Sequence, residues 1–371
     1  MSFTPFALER WQSTWEHRVR INLSESGVHA LSVAELLSLA GDDSDDLLAL
    51  PLSYGQSDGS DALRAEIARL YPGATPDHVT VTVGSAEANF STCWTLFRDA
   101  RRVVILAPTY MQIWGLAANF GVTVAPVWLR HELGWEPDLD EVRRAITPDT
   151  DVVVVTDPNN PTGHILSDAA RSVVLEATRA AGAWLFVDEV YEGAEHHGTT
   201  TPTWWGTWER TLVVNGLSKA YGLPGLRIGW VVTPPELRAR LLERHDYTVI
   251  GAGPLADHLA VRAVRHRDRI FDRTRDILNT NYPVLESWLQ SFEGAFTWHP
   301  PECGAICFVR YAGGPSSLDL VERVRVQQDI LLVPGDHFEM PGWLRLGFGN
   351  PTDQLREALD LLRPAVRTLL R

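Results

Sequence analysis

Residues 210–230 read RTLVVNGLSKAYGLPGLRIGW. The opening RTLVVNG is an apolar run of strand length that does not alternate with polar residues. Such text belongs to a strand of a parallel sheet covered on both faces. Glycines and prolines at 216, 222, 224, 225 and 229 then bend the chain closely around Ser218, Lys219 and Arg227. Lys219 is the only lysine in 371 residues, so every other basic residue of the 33 is an arginine. A primary amine can lose its proton and act as a nucleophile, which a guanidinium in a protein does not do. Taken alone, Lys219 also reads as a surface lysine left over from a compositional bias, and its neighbours must decide.

Working outward, the chain alternates strand-like and helix-like text from about residue 60. HVTVTVG, RRVVILAP, VTVAPVW, DVVVVTDP and AWLFVDEVY have strand length,. SDGSDALRAEIARLY, SAEANFSTCWTLF, QIWGLAANFG, DLDEVRRAI and DAARSVVLEATRAAG are helical in spacing, several behind polar capping residues,. The expected fold class is α/β, with a large, mostly parallel sheet over residues 46–245. From PELRARLLERHDYTV a long helical region is expected to run through the arginine-rich stretch to residue 292. Short strands (AICFVRY, ILLVPG, WLRLGFG) and a closing helix, TDQLREALDLLRPAVRTLL, then suggest a smaller α+β domain over 246–371, joined by the segment 1–45.

The composition is that of a globular protein, 45% hydrophobic and 22% charged,. A net charge of −14 without a basic stripe argues against nucleic acid as a partner,. Cys93, Cys303 and Cys307 form no CxxC pair, and no metal site is expected,. No signal peptide or span-length apolar stretch is apparent, so the expected location is cytoplasmic, with no membrane partner.

Ligands of open α/β sheets bind beyond the carboxyl ends of the strands. After HVTVTV come Gly84, Ser85 and Ala86, whose N–H groups at a helix start suit a phosphate; a plain helix cap reads the same way,. After DVVVVTDP comes Asn159-Asn160-Pro161-Thr162-Gly163, which also reads as a turn,. After AWLFV come Asp188 and, three residues on, Tyr191. A buried carboxylate there needs a partner, and a cationic ligand would supply one; an N-cap is the bland alternative. Arg227 reads alone as a salt-bridge arginine. Together these groups place a phosphate site, an acid and a deprotonable amine along one sheet edge.

SKAYGLPGLRIGW, preceded by NNPTG and VDEVY, resembles the cofactor-lysine region of the class I/II aminotransferases, the fold type I pyridoxal-phosphate enzymes. YGQSDGSDALRAEIA and LLVPGDHFEMPGWLRLGFG extend that resemblance along nearly the whole chain. It implies a seven-stranded-type, mostly parallel sheet in the large domain, and pyridoxal 5′-phosphate as cofactor. Lys219 would carry the cofactor as a Schiff base and move the proton at Cα. Asp188 would pair with the pyridine nitrogen, Asn160 and Tyr191 with the phenolic oxygen, and Tyr110 would stack on the ring. Gly84, Ser85, Ala86, Ser218 and Arg227 would form the phosphate cup. Tyr54 would reach the phosphate of a neighbouring subunit, implying a homodimer with shared active sites. Arg345, with Asn160 and Gly27, would bind the amino-acid substrate. The pattern departs at Gly216, where many members have a hydroxyl residue touching the phosphate.

The resemblance leaves the reaction open, because one cofactor supports transamination, elimination, decarboxylation and oxidation. SESGVH, Ser24 to His29, resembles the corresponding loop of capreomycidine synthases, which proceed by elimination and re-addition. There His29 would be a second acid/base; a histidine packed at a domain seam is the alternative. The expectation is therefore an aminotransferase-type enzyme of natural-product or antibiotic biosynthesis. The alternatives are a β/γ-eliminating or decarboxylating lyase, for example on an S-substituted cysteine or a hydroxylated arginine, and a non-catalytic ligand-sensing module.

Overall fold

The computed structural model describes residues 3–42 and 44–369. The apolar runs form one eight-stranded sheet. In chain order the strands are β1 (Val79–Val83), β2 (Arg102–Ala107), β3 (Thr123–Arg130), β4 (Glu136–Pro137), β5 (Val152–Thr156), β6 (Trp184–Asp188), β7 (Thr211–Gly216) and β8 (Ile228–Val232). Their spatial order is β1-β8-β7-β6-β5-β2-β3-β4. β2, β3, β5, β6 and β7 pair in parallel. β4 is a two-residue antiparallel addition at the edge, so seven full strands remain. Every residue of β5, β7 and β8 is buried, as strands covered on both faces require,.

RIGWVV, not among the strands expected from the sequence, forms β8 and runs antiparallel to both neighbours. The reason is the connection. The chain passes from β7 to β8 through a tight loop with only one 3-10 turn, Pro224–Leu226. A parallel crossover needs a longer connection, usually a helix, so the strand returns in the opposite sense. That reversal decides where Arg227 lies. The amino end of β8 falls at the same sheet edge as the carboxyl ends of β1, β5, β6 and β7.

The helical region after residue 234 is also interrupted where one continuous stretch was expected. Helices Pro235–His245, Pro254–Arg265 and Arg267–Gln290 are separated by an irregular segment ending in Gly253-Pro254 and by a break at His266. Proline cannot continue a helix but starts one well. Beyond it, β9 (Phe296–Trp298), β10 (Ile306–Tyr311), β11 (Val333–Pro334) and β12 (Trp343–Gly347) form an antiparallel sheet in the order β9-β10-β12-β11. Ile21–Asn22 pairs in parallel with Ile330–Leu331, tying the start of the chain to this second sheet. The N-terminal helix Ala7–Trp15 bridges the two sheets. Trp11 Nε1 donates to Leu332 O at 2.8 Å, while Tyr110 OH donates to Glu9 Oε1 at 2.6 Å.

Close backbone approach sets the geometry where β8 meets the turn after β1. A Cβ at Gly229 would lie 2.4 Å from Ser85 N and 2.5 Å from Gly84 C, both backbone atoms without freedom to give. Gly229→Ala is therefore expected to cost more than about 2 kcal/mol, seen as a lower thermal unfolding midpoint. An unchanged midpoint would contradict this packing.

Candidate active site

A cavity of about 420 Å³ opens at the shared edge. Ser85, Ala86, Tyr110, Asn160, Asp188, Tyr191, Ser218, Lys219, Arg227 and Arg345 all line it, although they span 261 positions of sequence from 85 to 345. At one end lies the start of helix Gly84–Phe97. Gly84 has φ +76°, and a Cβ there would meet Arg227 Nη2 at 2.4 Å, so only glycine lets the guanidinium lie against this turn,. Arg227, itself at φ 54°, donates Nη1 to Pro224 O at 3.2 Å and forms no ion pair with a carboxylate among the described residues. An unpaired guanidinium beside free helix-start N–H groups is an anion site. Gly216 has a packing reason of its own. A Cβ there would lie 3.0 Å from Ile228 O and 3.2 Å from Gly229 Cα in the adjacent strand.

At the other end Asp188 closes β6, fully buried. It accepts from Asn89 Nδ2 at 3.2 Å and from Val190 N at 3.1 Å. Burial pushes its pKa up to about 6, against the pull of those donors and of the Lys219 charge,. Between the two ends stands Lys219, with Nζ 3.9 Å from Glu25 Oε2. Gly27 packs behind it, since a Cβ there would lie 3.3 Å from Lys219 Cα.

Arg345 of β12 is buried. Nη1 donates to Asn160 Oδ1 at 2.9 Å and Nη2 to Ser24 O at 2.6 Å, leaving Nε without a partner. Because arginine only donates, Asn160 must turn its oxygen to Arg345, which frees the Asn160 amide NH₂ to donate elsewhere. Tyr191 OH donates to Ser26 Oγ at 2.8 Å. The Asn160 loop is held from behind by His164. Its Nδ1 lies 2.6 Å from Glu302 and its Nε2 3.1 Å from Glu136. Burial opposes the imidazolium, yet the two carboxylates carry its pKa up to about 9.

Two candidates lie elsewhere. His29 is not in the cavity lining. Its Nδ1 and its carbonyl oxygen each lie 3.0 Å from Arg273 Nη2 of the long helix. Burial and then the Arg273 charge lower its pKa, so it packs as a neutral acceptor,. Tyr54 is 95% exposed and is not among the residues that line this cavity.

Sequence reasoning passed over Asn89, Gln112, Ser26 and three carboxylates, Glu9, Glu16 and Glu25, all of which line the cavity. Helical spacing carried part of the signal. Asn89 lies three and four residues after Ala86 and Ser85, on the same face of one helix, and Glu9 and Gln12 share a face of another. The arrangement fits a planar aromatic phosphate: an anion cup at one end, a buried acid for a ring cation at the other, and an amine between them. The volume is that of a small-molecule site.

Comparison with known proteins agrees with this geometry. A family model described as aminotransferase class I and II matches residues 51–362. A capreomycidine synthase from Streptomyces vinaceus is 33% identical over 366 residues, 97% of this chain and 93% of that protein. Among solved structures, a PLP-dependent aminotransferase from Streptococcus suis superposes with a TM-score of 0.94 at 30% identity, covering 100% of both chains. A PLP-dependent cyclase superposes with a TM-score of 0.91 at 32% identity, covering 99% of this chain and 98% of that one. The shared fold is fold type I.

The His164 clamp has a defined pH signature. Its folded pKa is raised to about 9, so its contribution is fully present below the ordinary histidine value of about 6.5 and is lost as pH rises through 9,. Glu302→Gln is expected to lower stability by about 1–2 kcal/mol at pH 6.5 and by much less at pH 9.5. An equal loss at both pH values, measured by denaturant unfolding, would contradict a charged His164.

Proposed function

The chain belongs to the aminotransferase class I and II family and is a pyridoxal-phosphate-dependent enzyme, and from that premise we propose that it acts on an α-amino acid with a cationic side chain. The observation carrying the substrate class is the group Glu9, Glu16 and Glu25 in the cavity lining. The other charged groups there have separate tasks: Arg227 for the phosphate, Arg345 for the substrate α-carboxylate, Asp188 for the ring nitrogen, Lys219 for the reacting carbon. Three further carboxylates stand there with no guanidinium of the cavity paired to them, Glu9 accepting only from the neutral Tyr110 OH and Glu25 facing Lys219. Burial and then the charges of Glu25 and Glu9 raise the Glu16 pKa, so these acids repel one another and a cation between them relieves the repulsion,.

Pyridoxal phosphate supplies, when bound, an aldehyde carbon for the substrate amine and a ring that takes up the electrons released at Cα. The chain's own groups do the rest. Ser85, Ala86, Ser218 and Arg227 bind the phosphate oxygens, with Gly84 keeping the turn open. Asp188 holds a proton on the ring nitrogen. Asn160, through its free amide NH₂, and Tyr191, once Ser26 turns to donate to it, would hold the phenolic oxygen, and Tyr110 would pack on the ring,. Arg345 offers its unpartnered Nε to the substrate carboxylate, with Gly27 leaving room beside Lys219. Lys219 Nζ takes the proton from Cα and returns it. Transfer of the amino group to a keto acid is the reading carried by the family. Elimination is a second reading, favoured by Glu25 of the SESGVH loop. Its carboxylate lies 3.9 Å from Lys219 Nζ, placed to hold the ammonium that Lys219 becomes on taking the Cα proton, the acid that a departing side-chain substituent needs,.

The protein acts as a homodimer in this reading, with Tyr54 reaching the phosphate of a partner subunit. Leu48, Leu52 and Tyr247, exposed by 81%, 85% and 82%, give that partner an apolar surface to cover,. The large domain over 46–245 would hold the cofactor, and the domain over 246–371, with segment 1–45, would close on the substrate. Three free, buried cysteines suit a cytoplasmic setting, and the Streptomyces relative suits a role in antibiotic biosynthesis.

Two experiments test this. Mass analysis of products with and without an α-keto acid separates the reactions: acceptor-dependent turnover is expected, and acceptor-independent release of ammonia or a side-chain fragment would decide for elimination. Glu16→Gln combined with Glu25→Gln is expected to lower kcat/KM for arginine, ornithine or lysine about 10- to 100-fold relative to methionine. A wild-type enzyme that prefers neutral or acidic amino acids would sink the cationic-substrate reading.

A further inference from the structure

One element of the cavity wall has no place in the chemistry above. Asn89 is 1% exposed and lies on the inner face of helix Gly84–Phe97. Gln112 starts the helix Gln112–Phe120. Four polar groups run in a line here. Gln112 Nε2 donates to Ala86 O at 2.9 Å, Asn89 Nδ2 reaches Gln112 Oε1 at 3.2 Å, and the same Nδ2 reaches Asp188 Oδ2 at 3.2 Å.

We propose that Asn89 and Gln112 form an amide relay that joins the phosphate end of the cavity to Asp188 and holds that carboxylate in place as the acceptor for the cofactor's ring nitrogen. The inference rests on the reading that this cavity binds pyridoxal phosphate. The direction of the relay follows from chemistry. A backbone carbonyl only accepts, so Gln112 must turn its NH₂ to Ala86 and its oxygen to Asn89. Asn89 must then present its NH₂ to that oxygen, and its second N–H falls to Asp188. A flipped Asn89 would set its oxygen against two acceptors. The order leaves Asn89 Oδ1 buried without a hydrogen-bond partner among the described residues,.

The consequence is that both anchors of the cofactor share one frame. Asp188 would otherwise keep only the Val190 N–H as a donor in a fully buried setting, where burial favours its neutral form,. Asn89 favours the ionised form and fixes Oδ2, while Ala86, at the phosphate cup, sets where Gln112 and hence Asn89 stand. Asn89 and Gln112 are positioning residues that act through Asp188.

The test uses the full-length apo protein and two ligands. One is pyridoxal phosphate; the other is its carbocyclic analogue with a C–H in place of the ring nitrogen. Because the relay acts through that nitrogen, Asn89→Leu is expected to weaken pyridoxal phosphate about tenfold or more while changing the analogue less than about twofold. Gln112→Met, which keeps the side-chain length and removes the amide, is expected to act in the same direction by a smaller factor, and serves if Asn89→Leu does not fold. Equal weakening of both ligands, or of neither, would overturn the proposal by showing a merely structural role. Failure of the wild-type protein to bind pyridoxal phosphate would instead overturn the cofactor reading on which it rests.

Discussion

A carboxylate sealed at the end of a central strand is the constraint around which this site is organised. Asp188 is buried, and among the described residues it has only two neutral donors, one from Asn89 and one from Val190 N–H. Removing a charged carboxylate from water is unfavourable unless a partner arrives, and the raised Asp188 pKa expresses that cost,. Arg345 repeats the situation with opposite sign, buried with an unsatisfied Nε. Each group suits a different part of a ligand, a cation for Asp188 and an anion for Arg345. A fold that stabilised only itself would have paired them or replaced them with apolar residues.

Topology then brings the remaining groups to the same place. Five parallel strands deliver their carboxyl ends to one edge, and β8, running back, delivers its amino end there too. Lys219 and Arg227 thus face one cavity from two sides of a single tight connection, flanked by Gly216 and Gly229, where a Cβ would press on the neighbouring backbone. The N-terminal helix covers the opening and adds Glu9 and Glu16, while the loop before Val28 adds Glu25. The sheet edge supplies Ser85, Asn160, Asp188 and Lys219 to the cavity, and the first thirty residues supply Glu9, Glu16, Glu25 and Ser26.

Much of this was legible in the sequence because it depends on local text. Continuous apolar runs marked the strands of the parallel sheet, and polar residues directly after them marked the edge where Ser85, Asn160, Asp188 and Lys219 converge. The parts that were not legible depend on long-range placement. β8 was obscured because its direction is set by the shortness of the preceding loop. The break at His266 was masked by the helix-favouring Arg265 and Arg267 on either side,. Asn89 and Gln112 carry no motif, and only the packing of two helices makes them neighbours. His29 looked chemical from its loop, but Arg273, more than two hundred residues away, turns it from the cavity.

Lys219, the single lysine, is the residue proposed to carry the cofactor. Borohydride treatment of the purified holoprotein, followed by peptide mapping, tests it most directly. The expected result is a yellow protein whose visible band is lost on reduction, with one pyridoxyl adduct on the peptide containing Lys219. A protein that takes up no pyridoxal phosphate, or an adduct that maps to the N-terminal amine instead, would contradict it.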